Sequence, residues 1–150
     1  MTKPRGIQLR SLRLRGTDRT EARLDFEPGL NVVSGVSDTG KSYLLQCIDY
    51  AFGSSDKPKS IDEAKGYEQL LLEMVDKNND TFTISRSLGD GTIRHFAVGI
   101  DEIPGQTGTS FGKSGGARGK LSPFLLRKCG IEPVDIVKNE RGVTWTFSFR

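Results

Sequence analysis

Residues 26–53 read FEPGLNVVSGVSDTGKSYLLQCIDYAFG. Within it Gly35, Val36, Ser37, Asp38, Thr39, Gly40, Lys41 and Ser42 have the spacing G-x-x-x-x-G-K-S of a phosphate-binding loop. Gly35 and Gly40 let the backbone come close to an anion, so that successive N–H groups converge on a β-phosphate at the positive end of the following helix. Lys41 can reach the β- and γ-phosphates as a point charge and is the candidate catalytic residue. The Ser42 hydroxyl is placed to ligate the Mg²⁺ that bridges those phosphates and is the candidate metal ligand. With Tyr43 in the same first turn, residues Gly35 to Tyr43 form the candidate nucleotide-binding set. Asp38 is an acid where phosphates would sit, so its side chain is expected to point outward. The motif requires a buried strand before it and a helix after it. Leu30, Asn31, Val32, Val33 and Ser34 have the short apolar composition of a central strand covered on both faces. Leu44, Leu45, Ile48, Ala51 and Phe52 recur at helical spacing, which predicts an amphipathic helix over residues 41–52 stopped by Gly53.

Upstream, apolar residues at 7, 9, 12 and 14 suit a strand with one change of phase, and Ala22, Leu24 and Phe26 alternate with charged neighbours. The polar turn from Gly16 to Thr20 makes these two a hairpin. Downstream, residues 54–66 read as a surface connection without core residues. Three strands follow at 70–75, 81–88 and 92–100, separated by Asn78-Asn79 and by Gly89-Asp90-Gly91, an antiparallel β arm over 67–100. Residues 101–120, glycine-rich from Gly105 to Gly119, read as a flexible loop. Ser122 as N-cap and Pro123 at the first helical position predict a short helix over 124–129 ending at Gly130. Val143, Trp145, Phe147 and Phe149 alternate with polar residues, a strand running to Arg150 that reads as the end of a truncated chain. Trp145 and the phenylalanines near it are expected in a core rather than as a base-stacking platform.

At 150 residues the chain has room for one hydrophobic core, and the expectation is one partial domain over 1–150. No run approaches the roughly 18 apolar residues of a membrane helix, and the first sixteen residues lack the apolar block of a secretory signal. Two cysteines and one histidine cannot supply a disulfide framework or a zinc cluster, which points to a reducing, cytoplasmic compartment without a membrane partner. His95 between Arg94 and Phe96 reads as structural. The net charge of +3 is unevenly spread: residues 1–23 hold seven basic and two acidic side chains, and residues 113–128 hold five basic and no acidic ones. The stretch between them is acidic, so two basic zones are available to a polyanion such as DNA.

The stretch Phe26–Gly53 resembles the N-terminal ATPase head segment of SMC, RecN and SbcC-type coiled-coil ATPases, in which a strand, G-L-N-V-hydrophobic-x-G, the phosphate loop and an L-L-x-x-I helix follow in that order. The hairpin and the β arm extend a weaker resemblance over most of the chain. The resemblance implies an α/β P-loop NTPase fold, the N-terminal lobe of an ABC-type head. It implies ATP with Mg²⁺ as ligand, a homodimer of heads sandwiching ATP, and DNA as the substrate of the full-length machine. In such heads hydrolysis needs an Asp-Glu strand and a serine-glycine signature loop, both carried by a C-terminal lobe. Val98-Gly99-Ile100-Asp101-Glu102 imitates the first and Ser114-Gly115-Gly116 the second. Gln69 and Gln106 are the only glutamines after the helix that could act as the γ-phosphate sensor, and Arg13, Arg15 and Arg19 could approach the nucleotide from the hairpin. Two alternatives stay open: a small phosphotransferase complete in itself, with Arg86 and Arg94 as its only mid-chain arginines, and a DNA-binding module in which nucleotide is incidental. A GTPase would carry Asn-Lys-x-Asp, which does not occur.

Overall fold

The structure is a computed structural model that describes residues 6–37, 40–113, 118–137 and 144–146. Six strands form one antiparallel sheet: β1 (Gln8–Gly16), β2 (Arg19–Asp25), β3 (Gln69–Val75), β4 (Thr81–Ser87), β5 (Ile93–Phe96) and β6 (Thr109–Gly112), in the spatial order β2-β1-β3-β4-β5-β6. Helices α1 (Lys41–Ala51) and α2 (Arg118–Cys129) contribute to its core, and β7 (Asp135–Val137) and β8 (Thr144–Thr146) pair in a separate two-stranded ribbon. Among the described residues, no helix is long and apolar enough to cross a membrane.

Alternation along the strands sets which face is buried. Leu12 and Leu14 of β1 sit opposite Leu72 and Leu70 of β3, while Leu72 faces Ile84 and Met74 faces Phe82 across the β3–β4 pair. These side chains meet Cys47, Tyr50 and Ala51 of α1 and Leu121 and Leu125 of α2 in one cluster. The opposite face carries Arg13, Leu71, Ser85 and Arg94 in register across β1, β3, β4 and β5. The hairpin and the β3–β4 arm therefore stand where the alternation puts them, and α1 ends where Gly53 puts it. Gly53, at φ +108°, donates to the Tyr50 carbonyl while Ser54 donates to that of Asp49, the paired closing bonds of a glycine-terminated helix.

Several expectations are corrected. Residues 30–34 form no strand: Leu30 is 91% and Val32 78% exposed, and no described strand pairs with them. A run with the composition of a doubly covered strand becomes one only when strands flank it, and the sheet of this chain runs elsewhere. The third strand of the arm stops at Phe96, where the chain leaves the sheet: the Val98 carbonyl accepts from Thr83, and Glu73 accepts the Ile100 amide at the head of a 3-10 turn, Ile100–Glu102. The glycine-rich stretch contains β6, which closes the sheet edge on β5. Helix α2 begins at Arg118, so Ser122 and Pro123 lie inside it rather than at its cap. Burying Leu121, worth about 1.5–3 kcal/mol, offsets most of the about 3 kcal/mol that an interior proline costs. Of the terminal strand, residues 144–146 form β8; residues 143 and 147–150 and the Trp145 side chain lie outside the described residues. Ser54, in the supposed surface connection, is fully buried.

His95 takes the structural place expected of it. It shares the core face with Ile84, and its ring lies 4.5 Å from that of Phe124, with Phe82 and Phe111 around it. Burial first, and then Lys128, hold its pKa below the ordinary 6.5. A folded-state pKa lowered below the unfolded-state value gives stability that is present above about pH 6.5 and is lost as the pH falls through the lower folded value. Because His95 is the only histidine, the free energy of unfolding in urea is expected to fall as the pH drops from about 7 to about 5. His95→Gln should flatten that slope, and an unchanged slope in the variant would rule the account out.

Candidate functional site

The phosphate-loop helix begins on backbone geometry alone. Gly40 adopts φ +80° at the N-cap, a left-handed conformation that costs glycine little, and its carbonyl takes the Leu44 amide at 2.9 Å. No acidic side chain occupies the first turn of α1, so the helix itself supplies no charge that offsets its positive end. Lys41 folds back over the loop: its Nζ donates to the Gly35 carbonyl at 2.8 Å and to the Val36 carbonyl. Ser42 is exposed beside it, and Tyr43 is half-buried, its hydroxyl pushed up to about 12 by burial and by the neighbouring Cys47. Burial also raises the Cys47 thiol to about 12, so it stays protonated and inert. Asp38 and Thr39 lie outside the described residues, and with them the expected outward turn of Asp38.

A cavity of mixed polar and apolar lining, about 500 Å³, opens at this point, lined by Ser37, Gly40, Lys41, Ser42 and Tyr43 and by Ile61 and Glu63. Residues 61 and 63 were not foreseen, because they sit in a polar stretch with no pattern of their own. Tertiary bonds place them. Arg19 donates to the Glu63 carbonyl at 2.8 Å and stacks over Tyr67, whose hydroxyl donates to the Thr20 carbonyl at 2.8 Å. The Lys59 amide donates to Gln46 of α1 at 2.7 Å, and the Glu68 amide to the Arg15 carbonyl at 2.8 Å. The hairpin turn can approach this segment only because residue 16 is glycine, since a Cβ there would overlap the Gly66 carbonyl oxygen. Among the described residues, no group of three or more His, Cys, Asp or Glu side chains could hold a metal ion.

A second cleft, of about 580 Å³, adjoins the first at Gly40, Lys41 and Tyr43 and is apolar, with Leu12, Leu14, Leu24, Val33 and Leu44 among its walls. The Leu30–Val36 segment runs past it with Leu30, Val32, Val33 and Val36 exposed.

Among the described residues, the Asp-Glu and glutamine candidates are not brought to the loop. Asp101 is bound through both carboxylate oxygens to Arg13, at 2.6 and 3.0 Å, which holds its pKa below the usual range. Arg13 leaves β1 on the face opposite Leu12 and Leu14, so the Asp101-Glu102 pair stands across the sheet from the loop and within a 3-10 turn rather than at a strand end. Ser114-Gly115-Gly116 lies outside the described residues. Gln69 donates to Ser85 at 2.8 Å, and Gln106 is exposed in a turn. The hairpin arginines are engaged locally: Arg13 and Arg15 with Glu21, Arg23 with Asp25, and Arg19 with the Glu63 carbonyl. In the second basic zone Lys113 pairs with Asp90 and Lys128 with Asp76. Arg86, which a phosphotransferase would need in a lid, is 1% exposed beneath α1.

Comparison with curated proteins finds no match. A family model described as an AAA domain matches residues 9–147. That match begins within β1, takes in the phosphate loop and both helices, and ends just past β8, so the chain belongs to the AAA domain family, whose members are ATPase-like nucleotide-binding domains.

Proposed function

We propose that the chain is the ATP-binding N-terminal lobe of an SMC-like, ABC-type ATPase head whose full-length protein acts on DNA. In this reading Gly35 to Tyr43 hold the nucleotide, Lys41 meets the β- and γ-phosphates, and Ser42 ligates Mg²⁺. The donor set fits that ligand: a left-handed Gly40 at the head of α1, an ammonium group, exposed hydroxyls at Ser37 and Ser42, and a cavity of about 500 Å³. Bound magnesium would neutralise phosphate charge and orient the γ-phosphate. The chain's own part is to position: the amides after Gly35 converge on the anion, and Ile61 and Glu63 complete the cavity lining.

The observation that carries the partial-lobe reading is the exposed Leu30–Val36 segment beside the apolar cleft. Four large apolar side chains in water next to a cleft of about 580 Å³ form a patch that calls for cover. A C-terminal lobe that adds strands beside Leu30–Ser34 would supply it, together with a signature loop and an Asp-Glu strand; the described residues bring no such strand to the site. Two such heads would then close on shared nucleotides. The self-contained phosphotransferase loses support with Arg86 buried. The free-standing DNA-binding module loses support because Arg13, Arg15 and Arg23 of the first basic zone and Lys113 and Lys128 of the second are engaged in internal ion pairs.

Calorimetry with magnesium ATP, paired with a phosphate-release assay on the same 150 residues, tests this. Saturable binding without sustained release is the expected result. Many turnovers per chain would overturn the partial-lobe reading, and no binding at all would overturn the nucleotide site.

A further inference from the structure

Arg86 is a cation on the core face of β4, set between Leu70 of β3 and Ile93 of β5 and 1% exposed. Burying a charge is costly unless its surroundings compensate it. Here the compensation comes in part from α1: the guanidinium carbon stands 3.4 Å from the centre of the Tyr50 ring, and Nη1 donates to the Tyr50 carbonyl. Tyr50 answers in kind, its hydroxyl donating to the Ser87 carbonyl at 3.1 Å. Each side chain binds the backbone of the other element, so the end of β4 and the end of α1 are latched reciprocally.

The position of that latch matters for the loop. All the buried side chains of α1, Cys47, Tyr50 and Ala51, are in its second half, and no residue from Lys41 to Gln46 is buried. The helix, 11 residues and about 16 Å long, is fully buried only toward its C-terminal end; Tyr43 and Leu44 are partly buried against the same cluster, and Lys41 and Ser42 stand at the other end. The cation also sits where the helix carbonyls concentrate negative charge, which reinforces the polarity that draws an anion to the N-terminus. We infer that Arg86 is a positioning residue for the phosphate loop: by fixing the C-terminal end of α1 to β4 it sets where Lys41 and Ser42 are presented. This rests on the nucleotide-binding reading of the loop.

Arg86→Met, Arg86→Lys and Tyr50→Phe, made in the full chain, separate this role from simple core packing. The affinity for magnesium ATP and the amide hydrogen exchange of α1 and β3 are both read. Arg86→Met is expected to weaken affinity about tenfold and to speed exchange over residues 44–51 while residues 70–74 stay protected. Arg86→Lys, which keeps the cation, should recover affinity to within about threefold of the parent. Tyr50→Phe keeps the ring and loses only its bond to Ser87, so it carries the test if Arg86→Met does not fold; selective loosening of α1 is expected there too. Parent-like affinity and exchange in folded variants, or equal loosening of α1 and β3, would overturn the inference. If the parent chain itself binds no magnesium ATP, the nucleotide reading falls, and the exchange data alone decide whether the latch holds α1.

Discussion

Lys41→Ala should weaken binding of magnesium ATP by at least about 100-fold while leaving the thermal midpoint of the chain nearly unchanged. The ammonium group is the one side-chain cation of residues 35–43, and it is already held at the loop by the Gly35 and Val36 carbonyls. Hydrogen bonds to charged partners are worth about 1.5–3 kcal/mol each, and a lysine that meets two phosphates forfeits both at once. Lys41 is outside the buried cluster and the carbonyls it covers are open to water, so the cost to folding should stay within about 0.5 kcal/mol. Calorimetry and a thermal melt on one sample read both quantities. A loss of affinity below about threefold would mean that Lys41 does not face phosphate.

Phe82→Ala should remove about 3–5 kcal/mol of stability, a large share of the about 5–15 kcal/mol available to a domain. Phe82 is fully buried on β4 opposite Met74, meets the Phe124 ring edge-on at 5.8 Å, and lies under the Lys128 ammonium at 5.0 Å. It is one of the points at which α2 is fastened to the sheet, beside Leu121, Leu125 and the His95–Phe124 contact, and is reinforced by the 2.9 Å bond from Lys128 to Asp76 in the β3–β4 turn. Urea denaturation measures the loss. Affinity of the folded fraction for magnesium ATP should stay within about threefold of the parent, because none of these contacts involves α1 or the loop. A loss of stability under about 1 kcal/mol would show that the α2 contact is not part of the cooperative core.

The elements that were legible in the sequence are those whose pattern and partners lie close together. Leu12 and Leu14 in β1 and Phe82 and Ile84 in β4 alternate with polar residues, Leu70 to Leu72 of β3 make a continuous apolar run, and all pair within the same sheet. For α1, the helical repeat and Gly53 are both local signals. Leu30 to Ser34 was misread for a physical reason: apolar composition reports how a segment is covered when its partners are present, and here no described strand covers it. The loop residues proposed for the site stand out in the sequence because phosphate binding demands a fixed spacing, and Ser37, Gly40, Lys41, Ser42 and Tyr43 line one cavity. Ile61 and Glu63 do not stand out, since they reach the cavity only through the bonds of Arg19, Gln46 and Tyr67 to backbone far away in sequence. The structural place of Arg86 had no local signal either, because nothing in the sequence marks a mid-chain arginine as one that the α1 contact buries.

The central claim is that the backbone from Gly35 to Ser42 wraps the phosphate tail of a nucleotide. A crystal structure of the chain with magnesium and a non-hydrolysable ATP analogue tests it most directly. The expected result is a β-phosphate within hydrogen-bond reach of the loop amides, the Lys41 ammonium turned from the Gly35 carbonyl toward it, and the metal on the Ser42 hydroxyl. A nucleotide bound elsewhere, with Lys41 still on the Gly35 and Val36 carbonyls, would contradict it.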